Sequence, residues 1–439
     1  MPLERLRKFL KTHGPATAKE LCHDLKISQP TFSRLSQNLR DEIIIGGEAR
    51  NTRYALRQKL PAIDSPIPIY KIDEKGKPSL LADLHPIQPK GFFVESRAEK
   101  LPSEWFEDLP FFLEDLRPNG FLGRMIPKRH PELSAPSDIR LWTSQHCLAY
   151  WIRFESDGIG NLIIGKEAFQ KHLVSLTNPT PSIPAKARSR LYPKLAQEVL
   201  SLGPAGSSAG GEQPKFLTVR GPHATPVIVK FSPQLNEGVG RRIADLLICE
   251  HLAHRVLLKH DVAVPQSALV KGNGQIFLEM ERFDRIIPNG RRGLLSLGTL
   301  SAQFSGKLGN WAEMGFALRR EKIITEETAQ QIDWLENFGS LIANTDRHPG
   351  NLAFYRKEIP PFALAPVYDM LPMLYYPQYG QLLTPPFHPT LPSPEAVRNW
   401  KGACDAAEDF WRMASSHPEI SKEFQKIAKE NTAKIQSLD

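Results

Sequence analysis

Two carboxylates and an amide stand at a spacing that suits phosphoryl transfer. Asp346 and Asn351 form an Asp-x-x-x-x-Asn run, and Asp369 lies eighteen residues after Asn351. One aspartate to accept a hydroxyl proton, with an amide oxygen and a second carboxylate to hold a divalent cation, is the set this chemistry needs. Mg²⁺ prefers such hard oxygen ligands and completes its shell with water and phosphate. A cation for the phosphates stands upstream, where Pro226-Val227-Ile228-Val229-Lys230-Phe231 reads as a strand carrying a lysine. Glu250 lies inside the apolar stretch of a helix expected over 241–258. A carboxylate there wants a cationic partner, and Lys230 is the natural one; the alternative is a solvent-facing Glu250. Earlier still, the run from Gly203 to Lys215 holds Ser207, Ser208, Gly210 and Gly211. Glycines let backbone N–H groups converge on an anion. The run lacks the Gly-Lys-Ser/Thr of a Walker loop, and alone it reads equally as a linker.

The secondary structure around these groups comes in a telling order. A helix expected over 333–343 leads into Asp346, and a strand over 352–355 leads out of Asn351. The strand beginning at Gln275 runs into a charged connector through Glu281, Phe283 and Arg285. That connector suits a hinge between two lobes, its backbone groups set against an adenine ring. Gly-rich loop, strand lysine, helix glutamate, hinge, Asp-x-x-x-x-Asn and a last Asp is the order found in protein kinases. The departure is at Asp369, where Tyr-Asp-Met replaces Asp-Phe-Gly. The competing structural reading is an acidic turn with capping Asp and Asn.

Residues 1–57 read as a separate unit. Leu3, Leu6, Phe9 and Leu10 recur at helical spacing, and His13-Gly14-Pro15 ends that helix. A second helix is expected over 17–25 and a third over 30–40, with Ser28 as N-cap and Pro30 in the first turn. Ile43-Ile44-Ile45 and Thr52–Leu56 then read as a β-hairpin. Helix, tight turn, helix and a two-stranded wing is the winged helix-turn-helix pattern, whose third helix enters the major groove. Gln29, Thr31, Ser33, Arg34 and Asn38 are the candidate contacts on that helix, with Arg50 and Arg53 on the wing. This segment carries +5 of the chain's net +8. The competing reading is a winged helix used for protein contacts.

A length of 439 residues suggests about three domains. With 41% hydrophobic and 24% charged residues, wholesale disorder and fibrous repeats are excluded. The expected divisions are 1–57, a Pro-rich polar linker over 58–68, a mixed α+β subdomain over 69–200, and 201–439 with a helical C-terminal part. The 69–200 subdomain is expected to pack on the 201–439 part. Within it, 106–116 and 167–174 read as helices. The four cysteines stand too far apart for a C-x-x-C pair, so a zinc knuckle or disulfide framework is not expected. There is no signal-peptide core and no apolar run long enough to span a bilayer, which implies a soluble cytoplasmic protein with no membrane partner.

These motifs give the chain a resemblance to the HipA-like serine/threonine kinases of bacterial toxin–antitoxin systems. It rests on Ser208-Ala-Gly-Gly-Glu-Gln-Pro-Lys215, Val229-Lys230, Glu281-Arg-Phe-Asp284-Arg285, Asn344-Thr-Asp-Arg-His-Pro-Gly-Asn351 and Leu364-Ala-Pro-Val-Tyr-Asp369. It covers residues 200–375 well and 69–200 weakly, through the run from Phe154 to Leu162. A winged helix in front of that pattern resembles the YjjJ-like branch of the family. The resemblance implies an α+β fold: two kinase-like lobes of the HipA type preceded by the winged helix. It implies ATP and Mg²⁺, with Ser208, Gly210, Gly211, Lys215, Lys230, Glu281 and Phe283 around the nucleotide. Lys230 would pair with Glu250, Asp346 would be the base, and Asn351 and Asp369 would hold Mg²⁺. It further implies autophosphorylation of the Gly-rich loop at Ser208, or at its neighbour Ser207, which ejects the loop. The implied partners are DNA through residues 1–57 and a protein substrate, such as an aminoacyl-tRNA synthetase or another translation component. A homodimer would suit an operator-binding winged helix.

Two other functions fit the same residues. One is a DNA-binding regulator whose kinase-like part senses a nucleotide without transferring phosphate. The other is a metal-dependent nuclease using Asp346, His348, Asn351 and Asp369, in which His348 would be base or ligand.

Overall fold

Thr17 and Ser28 each open a helix by accepting the backbone N–H three residues on, of Glu20 at 3.3 Å and Thr31 at 3.4 Å. Glu20 returns the bond to the Thr17 N–H at 2.7 Å, which closes a capping box. The structure, a computed structural model, describes residues 2–61, 63–99, 101–202, 213–389, 391 and 397–438. The chain folds as two units, Met1–Arg117 with Leu141–Asn178, and Pro118–Arg140 with Pro179–Asp439.

The first unit begins with α1 (Pro2–His13), β1 (Ala16–Thr17), α2 (Ala18–Leu25), α3 (Gln29–Asn38), β2 (Ile43–Gly46) and β3 (Arg53–Leu56). The strands pair in the order β1-β3-β2. Leu6, Leu10, Leu21, Leu25, Phe32, Leu39, Ile43 and Leu56 form one buried cluster beneath the three helices. Three helices are followed by the paired strands β2 and β3, with the short strand β1 between α1 and α2.

The chain then enters a five-stranded antiparallel sheet of order β7-β6-β5-β4-β8: β4 (Ile67–Ile72), β5 (Pro78–Pro86), β6 (Phe92–Ser96), β7 (Glu104–Phe106) and β8 (Leu162–Ile164). Helices α4 (Ser144–Phe154) and α5 (Lys166–Thr177) accompany it. The stretch 106–116 is not one helix. Phe106 closes β7 and only Phe111–Glu114 is helical, because Pro110 biases Leu109 away from helical backbone.

The stretch 58–68, expected as a linker, is tied to the sheet where it begins. Arg57 bridges Ile87, the Gln58 N–H donates to the Pro86 carbonyl at 2.9 Å, and the Gln88 N–H donates to the Leu56 carbonyl at 2.9 Å. Ile44 and Ala55 of the wing share a buried cluster with Ile87 and Phe93 of the sheet. A Cβ at Gly46 would lie 2.3 Å from the Phe93 ring, so only glycine permits that approach.

Helix α6 (Arg188–Leu202) belongs to the second unit and not with the sheet before it, so the boundary expected at 200 falls at 178. Strands β9 (Lys215–Arg220), β10 (Thr225–Phe231), β11 (Ser267–Gly272) and β12 (Gln275–Glu281) form an antiparallel sheet of order β11-β12-β10-β9. On one face Phe216, Val227, Val229, Phe231 and Phe277 pack with Tyr192, Ala196 and Val199 of α6. Alternation along β10 turns Lys230 to the other face, towards α7 (Gly238–Lys259). A short ribbon, β13 (Arg285–Ile286) with β14 (Gly290–Arg291), leads to a second small sheet. It holds β15 (Gly293–Ser296), β16 (Ala353–Arg356) and β17 (Ala363–Leu364). Around it stand α8 (Leu297–Phe304), α9 (Trp311–Arg320), α10 (Glu326–Leu341), α11 (Val397–Ser416) and α12 (Lys422–Gln436). Their core contains Trp311, Leu335, Phe338, Phe410, Trp411 and Phe424.

Candidate active site

Lys230 is buried on β10, and its ammonium reaches both oxygens of Glu250 at 2.7 Å. Glu250 is fully buried on α7, so the partner its apolar surroundings demanded is the strand lysine. Asp369 bonds the same ammonium from the segment after β17. Burial works against a charged Lys230, but Asp369 and Glu250 together hold it protonated, above its ordinary value. Burial likewise pushes the Asp369 carboxyl up, yet Lys230 and Lys215 outweigh it and bring it down to about 2. For Glu250, burial raises the pKa against the pull of Lys230. Lys215 stands opposite Lys230 in the β9–β10 register. The arrangement is a pair of lysines facing carboxylates from two other elements, a place where phosphate oxygens can exchange with carboxylate oxygens.

The Asp346 loop is built at the end of α10. Ala343 takes a left-handed backbone (φ 59°) that turns the chain out of the helix. Asp346 itself is exposed, and Asn351 is buried in the turn Pro349–Asn351. The Asn351 amide donates to the Asp346 carbonyl at 2.8 Å, which ties the two ends of the Asp-x-x-x-x-Asn run together. His348 accepts the Gly350 N–H at 3.1 Å through Nδ1, and its carbonyl accepts from the Trp311 indole at 3.0 Å. Through Nδ1 it caps the turn Pro349–Asn351.

The fully buried Asn344 opens the run that ends at Asn351, although the sequence assigns it no role of its own. Its Oδ1 accepts the Asp346 N–H at 3.0 Å, and its Nδ2 donates to the Asp369 carbonyl at 3.3 Å. Arg347 ties the loop back to α10, through Glu336 at 2.9 Å and the Asn344 carbonyl. The readable signal is an amide two residues before the exposed acid, a common local bonding pattern for Asn.

Phe283 lies beyond β12 and stacks on Tyr368, with ring centroids 5.8 Å apart. The Tyr368 hydroxyl donates to the Gly350 carbonyl at 3.1 Å. The Glu281 N–H donates to the Gln266 carbonyl at 2.9 Å and its carboxylate pairs with Arg220. Ser207, Ser208, Gly210 and Gly211 lie outside the described residues. No cluster of three or more His, Cys, Asp and Glu gathers as a metal cage among the described residues. The Asp369 carboxylate and the Asn351 amide oxygen still fit Mg²⁺, which is commonly bound through one or two carboxylates plus water and phosphate.

In the first unit, Gln29, Ser33, Arg34 and Asn38 are exposed along α3, Thr31 is half-buried, and Arg50 and Arg53 are exposed on the wing.

This fold and this site define a protein of the HipA class. Residues 207–437 match the HipA-like C-terminal domain family, and residues 63–173 match the family of YjjJ-like toxin middle domains. The chain is 37% identical to Toxin YjjJ of Escherichia coli (strain K12) over 438 residues, covering 98% of this chain and 97% of that one. The chain belongs to the YjjJ-like branch of the HipA-like toxin family. A solved structure of Shewanella oneidensis MR-1 HipA, complexed with HipB and its operator DNA, covers 84% of this chain and 96% of its own at TM-score 0.52 and 14% identity. That likeness establishes the HipA-like fold. The proinflammatory kinase CtkA of Helicobacter pylori superposes more loosely, at TM-score 0.35 over 51% of this chain. No helix among the described residues is long and apolar enough to cross a membrane.

Proposed function

We propose that the chain transfers the γ-phosphoryl group of ATP to a serine or threonine hydroxyl of a protein, its own Gly-rich loop included. The observation that carries this reading is Lys230, buried and bonded at once by Glu250 and Asp369. Lys230 and Lys215 bind phosphate oxygens, and Glu250 keeps the Lys230 ammonium aimed. The stacked Phe283 and Tyr368 give the base an aromatic edge. Asn351 and Asp369 would hold Mg²⁺, which would supply charge neutralisation on the phosphates. Asp346 accepts the proton of the attacking hydroxyl as its oxygen bonds to the γ-phosphorus. The bond from that phosphorus to the bridging oxygen breaks, and ADP leaves. Residues 1–57 bind DNA through α3 and the wing, supported by their arrangement and exposed basic residues. The Shewanella relative was solved with operator DNA, although in company with HipB.

The test is incubation with Mg²⁺ and γ-labelled ATP. Wild type takes up label, and Asp346→Ala loses it by roughly 10²–10⁴-fold, the range of a removed general base. Ser208→Ala loses self-labelling while transfer to an added protein persists. ATP binding with no label on the wild type would overturn the transfer reading and favour a nucleotide sensor.

A further inference from the structure

Asp369 has a positive φ of 55°, a backbone conformation uncommon for any residue but glycine. Something must hold it there, and both of its peptide groups are held. Its N–H donates to Glu250 Oε1 at 3.2 Å, and its carbonyl accepts from Asn344 Nδ2 at 3.3 Å. The other end of the same Asn344 amide accepts the Asp346 N–H at 3.0 Å. Asn344 is itself anchored. Its N–H donates to the Gly339 carbonyl at 2.9 Å, and its carbonyl accepts from Arg347, which Glu336 of α10 fixes. A primary amide is the group of this size that can accept from one backbone and donate to another. An aspartate would lose the donor and bury a charge, and an aliphatic side chain would leave both peptide groups without these partners.

Resting on the transferase reading, we propose that Asn344 is the positioning residue that joins the Asp346 loop to the Asp369 segment and thereby sets the geometry of the Mg²⁺ site. It touches neither nucleotide nor hydroxyl and acts through the two backbones it joins. Its loss changes where the Asp369 carboxylate points relative to Asn351, so divalent-cation affinity changes first. Outer partners of this kind are worth roughly 10- to 100-fold in metal affinity.

The test uses the full chain and does not depend on turnover. The thermal midpoint is measured as Mg²⁺ is titrated at fixed ATP, and ATP binding in EDTA is measured by calorimetry. For Asn344→Ala, the Mg²⁺ concentration giving half of the ATP-induced stabilisation rises about tenfold or more, while affinity for ATP in EDTA stays within about twofold. Asn344→Asp, which retains only the acceptor, fails to restore the wild-type Mg²⁺ dependence. Glu279→Gln, a change on the far face of the β9–β12 sheet, lowers the midpoint without moving that dependence. An unchanged Mg²⁺ requirement in Asn344→Ala overturns the proposal, as does an equal shift in Glu279→Gln, which would reduce Asn344 to general stability. A wild type that binds Mg²⁺ and ATP without transferring phosphate defeats the transferase reading and leaves the role of Asn344 measurable. A wild type whose ATP binding is blind to Mg²⁺ overturns both.

Discussion

Neighbouring charges outweigh burial at Lys230 and Asp369, whereas burial wins at His254. It sits one helical turn beyond Glu250 on α7, buried, with Nδ1 3.1 Å from the Ser267 hydroxyl, which His251 shares at 2.9 Å. Burial, aided by the nearby Lys230 cation, lowers its pKa to about 3. In the unfolded chain it titrates near about 6.5. A histidine depressed in the folded state favours folding above the unfolded pKa and withdraws that support as pH falls towards the folded value. The expected outcome is a loss of a few kcal/mol in unfolding free energy as pH drops from about 6.5 towards about 3. Urea midpoints measured across that range would show it, and His254→Leu would be flatter by one proton's slope. His251 is also lowered by burial, so a shallower slope remains in the variant. Asp369 behaves in the same direction further into acid. Its support is present above about 3.9 and fades as pH approaches about 2, which leaves it ionised throughout neutral conditions. Lys230, Glu250 and Asp369 are legible in the sequence, because their order and types are set by the chemistry. Asn344 and Tyr368 are not, since their value lies in which backbone carbonyl each reaches, and only tertiary placement determines that.

Elements explain why some boundaries are legible and others not. The helices of the first 57 residues announce themselves through Thr17, Ser28 and Pro30, all local signals. The linker expectation over 58–68 misses the bonds at its start because Pro and polar residues say only that no helix continues. They do not say that Arg57 and Gln58 will find Pro86 and Ile87, some thirty residues on. The same contact makes a prediction. Gly46→Val places a side chain into the Phe93 ring, itself packed 4.4 Å from Trp105 between centroids. Overpacking of this kind costs roughly 1–3 kcal/mol. Hydrogen exchange should show lost protection along β2 and β3 and at the Gln58 and Gln88 amides, with α7 unaffected. Uniform protection would mean that the wing is not tied to the sheet in this way. On the far face of the β9–β12 sheet, Glu279 is buried between Arg188 at 2.9 Å and Arg220 at 3.0 Å, and Tyr192 also bonds it. It joins α6, β9 and β12, the elements on either side of the Gly-rich loop and before the hinge. Glu279→Gln should lower stability by roughly 1–3 kcal/mol, since it takes the buried anion away from two half-buried arginines and the Tyr192 hydroxyl. A calorimetric melt would register this as a drop of several degrees.

At the scale of the whole molecule, charge is unevenly shared: residues 1–57 carry +5 of the net +8. Exposed Arg34, Arg50 and Arg53 stand on α3 and the wing, where the proposed DNA contacts fall. Since the wing packs on the five-stranded sheet and is bridged to it at Arg57, a fragment ending at 57 would lose the partners of Ile44, Ala55 and Arg57. The DNA reading is therefore best tested on the full chain. Each phosphate neutralised contributes about 0.9 to the slope of log affinity against log salt concentration. If those three arginines each meet a phosphate, one copy of the chain gives a slope of about −2.7, and a dimer on two half-sites about twice that. Replacing all three by alanine should flatten the slope by about 2.7 per copy and weaken binding to every sequence alike. Exposed Gln29, Ser33 and Asn38 should behave differently. Alanine there would leave the salt slope in place and cost about 1–3 kcal/mol for the preferred site alone, as expected of contacts to base edges. A salt slope that ignores the arginine triple variant would remove DNA from the function of this unit and leave its winged helix as a protein-contact module.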